Sequence, residues 1–300
     1  MTKKVTTNNQ QTLSSPLLSI CITAYNIEKY IGECIESILK QKVSFDYEIV
    51  IGDDCSTDAT LQVCEEYQNN YSNIRICKHQ QNLGIMRNTI HALEQCNGKY
   101  IALMDGDDVW IDPCKLQKQI DFLEANPEYT QVFHDAHISD SSLNYKSLFS
   151  ERYPHRDYTK PFSEELVVRW RVIGPTSSYV FRNLYKPYPE WGKDLSAGPE
   201  VYLFILALQK GKIKYMPDVM SVYRIRTEGF VKSYSNIRLA ERNLREYLVY
   251  RNYFYPRLRL FFLKKILWNH LYLIFKQLKS RNFKSFAVQL KKCFYDLVNT

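Results

Sequence analysis

The first apolar segment of the chain is Leu17–Thr23, a continuous run of strand length after a polar start. Ile27, Tyr30, Ile31, Cys34, Ile35, Ile38 and Leu39 then recur at helical spacing up to Lys42. Tyr47–Ile51 predicts a second strand, the stretch after Asp58 a helix, Ile74–Cys77 a third strand, Met86–Cys96 a helix and Tyr100–Met104 a fourth strand. Short polar turns rich in Gly, Asn and Asp join them. Apolar strands alternating with amphipathic helices predict an α/β fold, with a mostly parallel sheet covered on both faces. Beyond Pro113 the pattern predicts a helix over 115–125, a strand over 130–138, helices over 164–172 and 201–209, and two short strands around Met216-Pro217-Asp218. From Asn236 onward it is helical.

A parallel sheet presents ligands to the carboxyl ends of its strands. Those ends carry Ala24-Tyr25-Asn26, Gly52-Asp53-Asp54-Cys55-Ser56 and Asp105-Gly106-Asp107-Asp108. Carboxylates from two loops on one edge repel one another, so a cation or a positively charged partner is implied. Hard oxygen ligands on a tight Asp-Gly-Asp turn suit Mg²⁺ or Mn²⁺, with phosphate oxygens completing the shell. His134 and His137 resemble a metal pair but point to opposite faces of a strand, which leaves one of them to line a cleft. Trp110 and Trp191 read equally as core and as cleft wall.

The 300 residues are 45% hydrophobic and 24% charged, an ordinary globular composition that excludes a disordered chain. The net charge of +8 is unevenly spread. From residue 235 onward 14 Lys and Arg accompany 3 Asp and Glu, leaving 26 against 29 in the rest. Residues 1–15 read as a flexible leader without the apolar core of a secretory signal, and no stretch is apolar enough to span a membrane. Eight cysteines without a C-x-x-C pair suggest reduced thiols and a cytoplasmic protein. In 235–300, basic residues flank apolar and aromatic stripes. This appendage suits the cytoplasmic face of an anionic membrane, where the protein would be peripheral. Packing on the main domain or pairing as a homodimer are the other readings. Nothing in it marks a nucleic-acid binder.

Several motifs, in this order and spacing, resemble family-2 glycosyltransferases of the GT-A fold. They are SICITAYN (19–26), EIVIGDDCSTDAT (48–60), NLG (82–84), GKYIALMDGDDVW (98–110), KLQKQIDFLEANPEY (115–129) and LFILALQKGKIKYMPDVMSVYRIR (203–226). The resemblance implies a Rossmann-like GT-A domain over 16–234. It also implies transfer of a sugar, with inversion, from a nucleoside-diphosphate donor (UDP by default) to a sugar or lipid-linked glycan acceptor. Cell-surface polysaccharide or glycolipid assembly is the setting it suggests. It places Ala24, Tyr25 and Asn26 at the nucleotide, with Tyr25 stacking on the base. Asp54 would accept from the base imide, and Asp53 would support that loop. Asp105 and Gly106 fall near the ribose, Asp107 and Asp105 at the metal, and Arg87 at the diphosphate.

The resemblance also implies a catalytic base at the start of the helix before the K-G-K-I strand. Counting back from Gly211 gives Glu200, a glutamate where an aspartate is usual, with Asp194 as the fallback. Favouring a helix N-terminus is the alternative role for Glu200. A second departure is Arg226, where related sequences often carry a histidine. Arginine cannot ligate a metal but can hold a diphosphate. These two departures leave open a catalytically degenerate, membrane-associated scaffold. A nucleotidyltransferase would need a Gly-rich basic first loop, which Thr23-Ala24-Tyr25-Asn26 is not.

Overall fold

The structure is a computed structural model and describes residues 15–196, 198–226, 235–254, 257–280 and 283–298. The leader expected over 1–15 and the domain boundary expected at 234 fall almost wholly outside the described residues. Strands β1 (Leu18–Ala24), β2 (Tyr47–Asp53), β3 (Ile74–Lys78) and β4 (Tyr100–Asp105) alternate with helices α1 (Ile31–Leu39), α2 (Thr60–Asn70) and α3 (Ile85–Gln95). β1 lies between β2 and β4 and β3 pairs with β2, all in parallel. Then come β5 (Val109–Trp110), α4 (Lys115–Ala125), β6 (Tyr129–Ser139), β7 (Tyr145–Leu148), α5 (Glu164–Trp170), β8 (Val180–Arg182), α6 (Glu200–Lys210) and β9 (Lys212–Arg224). They extend the sheet in the order β3-β2-β1-β4-β8-β6-β9-β5, with β7 on β6.

Alternation along each strand feeds two cores. Leu18, Ile20 and Ile22 of β1 pack with Ile31, Cys34 and Ile35 of α1 and Leu116, Ile120 and Leu123 of α4. Cys21, Val50 and Leu103 face the other side, toward α3, α5 and α6. The predicted fold class, a mostly parallel α/β sheet with helices on both faces and a helical C-terminal part, is the observed one. One expectation changes: β9 is a single strand. Its register against β6 jumps from His134↔Met216 to Asp135↔Val219, so Pro217 and Asp218 form a bulge. Proline has no N–H to give the ladder, and a bulge accommodates it without ending the strand.

The C-terminal part is α7 (Asn236–Phe254), α8 (Arg259–Lys279) and α9 (Phe283–Val298). Leu244, Tyr247, Tyr250 and Phe254 of α7 and Phe262, Ile266 and Leu273 of α8 are buried in the same core as α3 and α6. The rings of Trp191 and Tyr253 lie 4.5 Å apart, and those of Trp191 and Tyr202 4.7 Å. Each large apolar side chain so buried contributes about 1.5–3 kcal/mol, so α7 is anchored to the body. No helix among the described residues is long and apolar enough to cross a membrane.

Gly98, in the turn into β4, is a point of close approach. A Cβ there would lie 2.4 Å from the Ser19 backbone N and 2.7 Å from the Leu18 carbonyl carbon. Neither can move without breaking the β1–β4 pairing. Gly98→Ala is therefore expected to cost about 3 kcal/mol, at the upper end of overpacking penalties, read as a lower midpoint in urea. An unchanged midpoint would contradict this contact.

Candidate active site

At the ends of β1 and β2 the backbone turns sharply. Asn26 (φ 49°) and Cys55 (φ 61°) both occupy the left-handed region, which asparagine tolerates better than most residues. The Asn26 side chain accepts from the Thr57 N–H at 2.8 Å, and the Asn26 backbone N–H donates to Ser56 Oγ at 3.1 Å. Asn26 thereby ties the two loops together. Asp53 does the same within its loop: its carboxylate accepts from Ser56 Oγ at 2.5 Å and from the Ser56 N–H at 3.1 Å. Asp54 is buried, and its oxygens accept the N–H groups of Leu83 (2.7 Å) and Gly84 (2.9 Å). It fastens the 82–84 turn before α3, where Gly84 adopts φ 83°. Tyr25, by contrast, stands 46% exposed at the cleft mouth.

The loop after β4 is held from several sides. Gly106 donates its N–H to the Thr23 carbonyl at 3.0 Å, and Thr23 Oγ1 donates to Asp105 Oδ1 at 3.2 Å. Asp108 is buried and accepts the Arg224 N–H at 2.9 Å. Arg226 Nε donates to Asp107 Oδ2 at 2.5 Å, and the Arg224 guanidinium reaches Glu33 of α1 at 2.6 Å. Both guanidinium groups lie against the Tyr30 ring, at 4.7 and 5.6 Å. Burial pushes the Asp105 carboxyl up to about 7, with the charges of Asp107 and Glu200 adding to the effect. Burial, then Asp107 and Asp105, also raises Asp108 well above the usual carboxylate range.

Glu200 is the first residue of α6 and faces the same cleft. Its Oε1 accepts from Thr176 Oγ1 at 3.4 Å, and burial raises its carboxyl above the ordinary value, helped by the charge of Glu246. The carboxylate folds back over Gly198, where a Cβ would sit 2.3 Å from Glu200 Oε2.

These groups line one cleft of ≈ 580 Å³. It brings together Ala24, Tyr25, Asp54, Asp105, Asp107, Arg226 and Glu200. Asn26, Asp53 and Gly106 stay behind its walls as loop supports. Arg87 and Asp194 pair with each other at 3.9 Å, both more than half exposed, and neither is among the lining residues, although Ile85 and Asn88 on either side of Arg87 are. His134 is buried with Nδ1 2.7 Å from the Asp135 carbonyl, and His137 stacks on Tyr145. Neither histidine lines the cleft, contrary to expectation, because β6 is covered on both faces. Trp110 belongs to the core, donating Nε1–H to the Ser177 carbonyl at 2.7 Å.

Sequence reasoning missed the far limb of the cleft. Arg171, at φ 60° after α5, pairs with buried Glu246 of α7 and donates to Asn243 Oδ1 at 2.6 Å. The Ser196 N–H donates to Glu246 Oε1 at 3.3 Å. A signal existed: Glu246 is one of three acids in a basic segment, and it falls on the face of α7 that carries Leu244, Tyr247, Tyr250 and Phe254.

With this geometry established, comparison with known proteins is direct. Residues 19–184 match the family described as Glycosyl transferase family 2, and the chain belongs to it. An uncharacterized protein of Mycobacterium tuberculosis is 32% identical over 216 residues, 71% of this chain and 60% of that protein. The chain thus spans about three-fifths of this curated relative. Among solved structures, Staphylococcus aureus TarS 1–349 in complex with UDP-GlcNAc has a TM-score of 0.61 at 20% identity, covering 83% of this chain and 70% of that one. The mannosyltransferase PcManGT of Pyrobaculum calidifontis, in complex with GDP-Man and Mn²⁺, has a TM-score of 0.55 at 13% identity, covering 95% and 88%. These two likenesses concern the fold.

Proposed function

We propose that this glycosyltransferase moves a sugar from a nucleoside diphosphate, UDP by default, to an acceptor hydroxyl with inversion. The observation that carries the reading is the single cleft lined by Tyr25 and Asp54, by Asp105, Asp107 and Arg226, and by Glu200. The nucleotide bound by TarS and the Mn²⁺ in PcManGT support it. Tyr25 offers an aromatic face to the base, and Asp54 offers acceptor lone pairs beside the two amides it already holds.

The residues present fit a divalent cation. Asp105 and Asp107 are hard oxygen donors side by side, and burial first, then the charges of Asp107 and Glu200, push Asp105 up to about 7, a penalty on its ionised form that a cation would offset. Among the described residues no three His, Cys, Asp or Glu form a ready-made cage, so the donor's phosphate oxygens would complete the shell. When bound there, Mg²⁺ or Mn²⁺ supplies Lewis-acid neutralisation of the leaving diphosphate. Arg226 contributes fixed positive charge at the same carboxylate and can reach a diphosphate directly. Glu200, ionised, takes the proton of the acceptor hydroxyl as that oxygen attacks the anomeric carbon from the face opposite the diphosphate. One displacement on that trajectory inverts the anomeric centre. The acceptor we favour is a lipid-linked or surface-polysaccharide precursor entering by the Arg171–Glu246 limb.

A panel of nucleotide sugars, followed by thermal shift and by diphosphate release with Mn²⁺, tests the reading. A UDP-sugar is expected to stabilise the protein and turn over. Arg226→Ala is expected to weaken donor binding about 10–100-fold, the scale of a lost charge-assisted hydrogen bond. Unchanged affinity would remove Arg226 from the donor site. No turnover with any donor would favour the scaffold reading.

A further inference from the structure

Helix α8 has two faces, and only one of them is used by the protein. Phe262, Ile266, Asn269 and Leu273 point inward. On the opposite side Leu260 (73% exposed), Leu267, Trp268 (71%), Leu271, Phe275 (61%) and Leu278 form a continuous apolar stripe open to solvent. At 100° per residue these positions fall within about a third of the helix circumference, and the stripe is about 30 Å long. Lys264 lies within it, and Lys265, Lys276 and Lys279 run along one edge. On α9, Leu290 and Phe294 are also exposed. His270 fixes that helix beside α8, with Nε2 3.0 Å from Asp296 Oδ2 and Nδ1 2.7 Å from Gln289 Nε2. A stripe of this size is too large to be the scattered apolar exposure of an ordinary surface.

We infer that this face lies on an anionic lipid surface, with α8 parallel to the membrane plane. Charge selects that occupant. The segment from 235 onward carries 14 basic and 3 acidic residues, and lysine stems reach past an apolar stripe to phosphate headgroups. Two copies of the chain meeting through this stripe would instead bring identical lysine edges together, at a repulsive cost. An exposed tryptophan in mid-stripe suits the headgroup boundary, where an amphipathic ring is stable. The helix is not apolar enough to go deeper. The inner face of α8 packs on α7 through Phe254 and Phe262, 5.8 Å apart, and α7 lines the far limb of the cleft. Docking α8 therefore fixes that limb at a set height above the bilayer, which extends the proposed choice of a lipid-linked acceptor.

The test is flotation of the full chain with phosphatidylcholine vesicles and with phosphatidylcholine–phosphatidylglycerol vesicles. No donor or turnover is needed, so failure here is separable from failure of the glycosyl-transfer reading. The protein is expected to float with the mixed vesicles and remain at the bottom with phosphatidylcholine alone. Trp268→Ser with Phe275→Ser is expected to weaken binding about 100-fold, from the apolar area lost. Lys264→Gln with Lys276→Gln and Lys279→Gln is expected to weaken it by a similar factor, at about fivefold per lysine. These side chains are solvent-exposed or edge positions outside the core, and an unchanged circular-dichroism melt confirms folding of each variant. Absence of flotation, or equal flotation on both vesicles, overturns the inference. So does a dimer seen by light scattering that Trp268→Ser with Phe275→Ser dissolves.

Discussion

Glu200→Gln is expected to bind nucleotide sugar as the wild type does and to lose about a thousandfold in turnover, within the span of general-base contributions. The amide keeps the size of the carboxylate and can accept a hydrogen bond from Thr176, but it cannot take a proton. Its stability should move the other way. Burial raises the Glu200 carboxyl above its unfolded value, so the folded state holds its proton more tightly than the unfolded state. Stability then falls as pH rises from the ordinary carboxylate value through the raised one. A permanently neutral glutamine escapes that loss. Glu200→Gln should therefore melt higher than wild type at neutral pH, and the gap should close at acid pH. The wild-type acid limb of kcat should lie above the ordinary glutamate range. A glutamate serving only the N-terminus of α6 would behave oppositely, because its removal would lower the melting temperature at neutral pH and leave turnover unchanged.

Arg171→Ala is expected to destabilise the protein by about 3 kcal/mol, the lower range for removing one partner of a buried ion pair. Glu246 is almost wholly buried and loses the guanidinium beside it, while Asn243 Oδ1 loses a donor. The loss should appear as a lower midpoint in urea, together with a raised KM for acceptor, since the pair forms the far limb of the cleft. Arg171→Lys should recover only part of it, because an ammonium cannot serve Asn243 and Glu246 from one planar fork. A midpoint unchanged by Arg171→Ala would mean that α7 does not depend on this latch.

The strands β1 to β4 and their helices were legible because each is a continuous apolar run or a 3.6-residue pattern, and both signals survive without knowledge of partners. The direction of β8 was not. Three residues, Val180–Arg182, carry no mark that distinguishes parallel from antiparallel pairing. The burial of α7 was hidden for a related reason. The spacing of Leu244, Tyr247, Tyr250 and Phe254 shows that a face exists but not what it packs against. In the cleft, strand-end position led to Tyr25, Asp54, Asp105 and Asp107. It did not separate lining residues from supports such as Asn26 and Gly106, because that depends on which way a turn rotates each side chain. Arg171 and Glu246 are 75 residues apart in the chain, and only the folded chain joins them.

Strand β8 is antiparallel to both β4 and β6 and lies between them. Arg182 at its end donates to the Tyr129 carbonyl and the Tyr100 hydroxyl, both at 2.9 Å. The family match over residues 19–184 stops just past this strand, while the resemblance carried by 203–226 continues beyond it. Glu200, Arg226, Asn243 and Glu246 all follow it. Strand β8 is thus a seam in the sheet between the parallel strands β1 to β4 and the strands that follow. On the proposed reading, exchange of the chain beyond that seam would change the acceptor limb together with the Arg226 contact to Asp107 while β1 to β4 stayed unaltered, a route by which one scaffold can diversify its products.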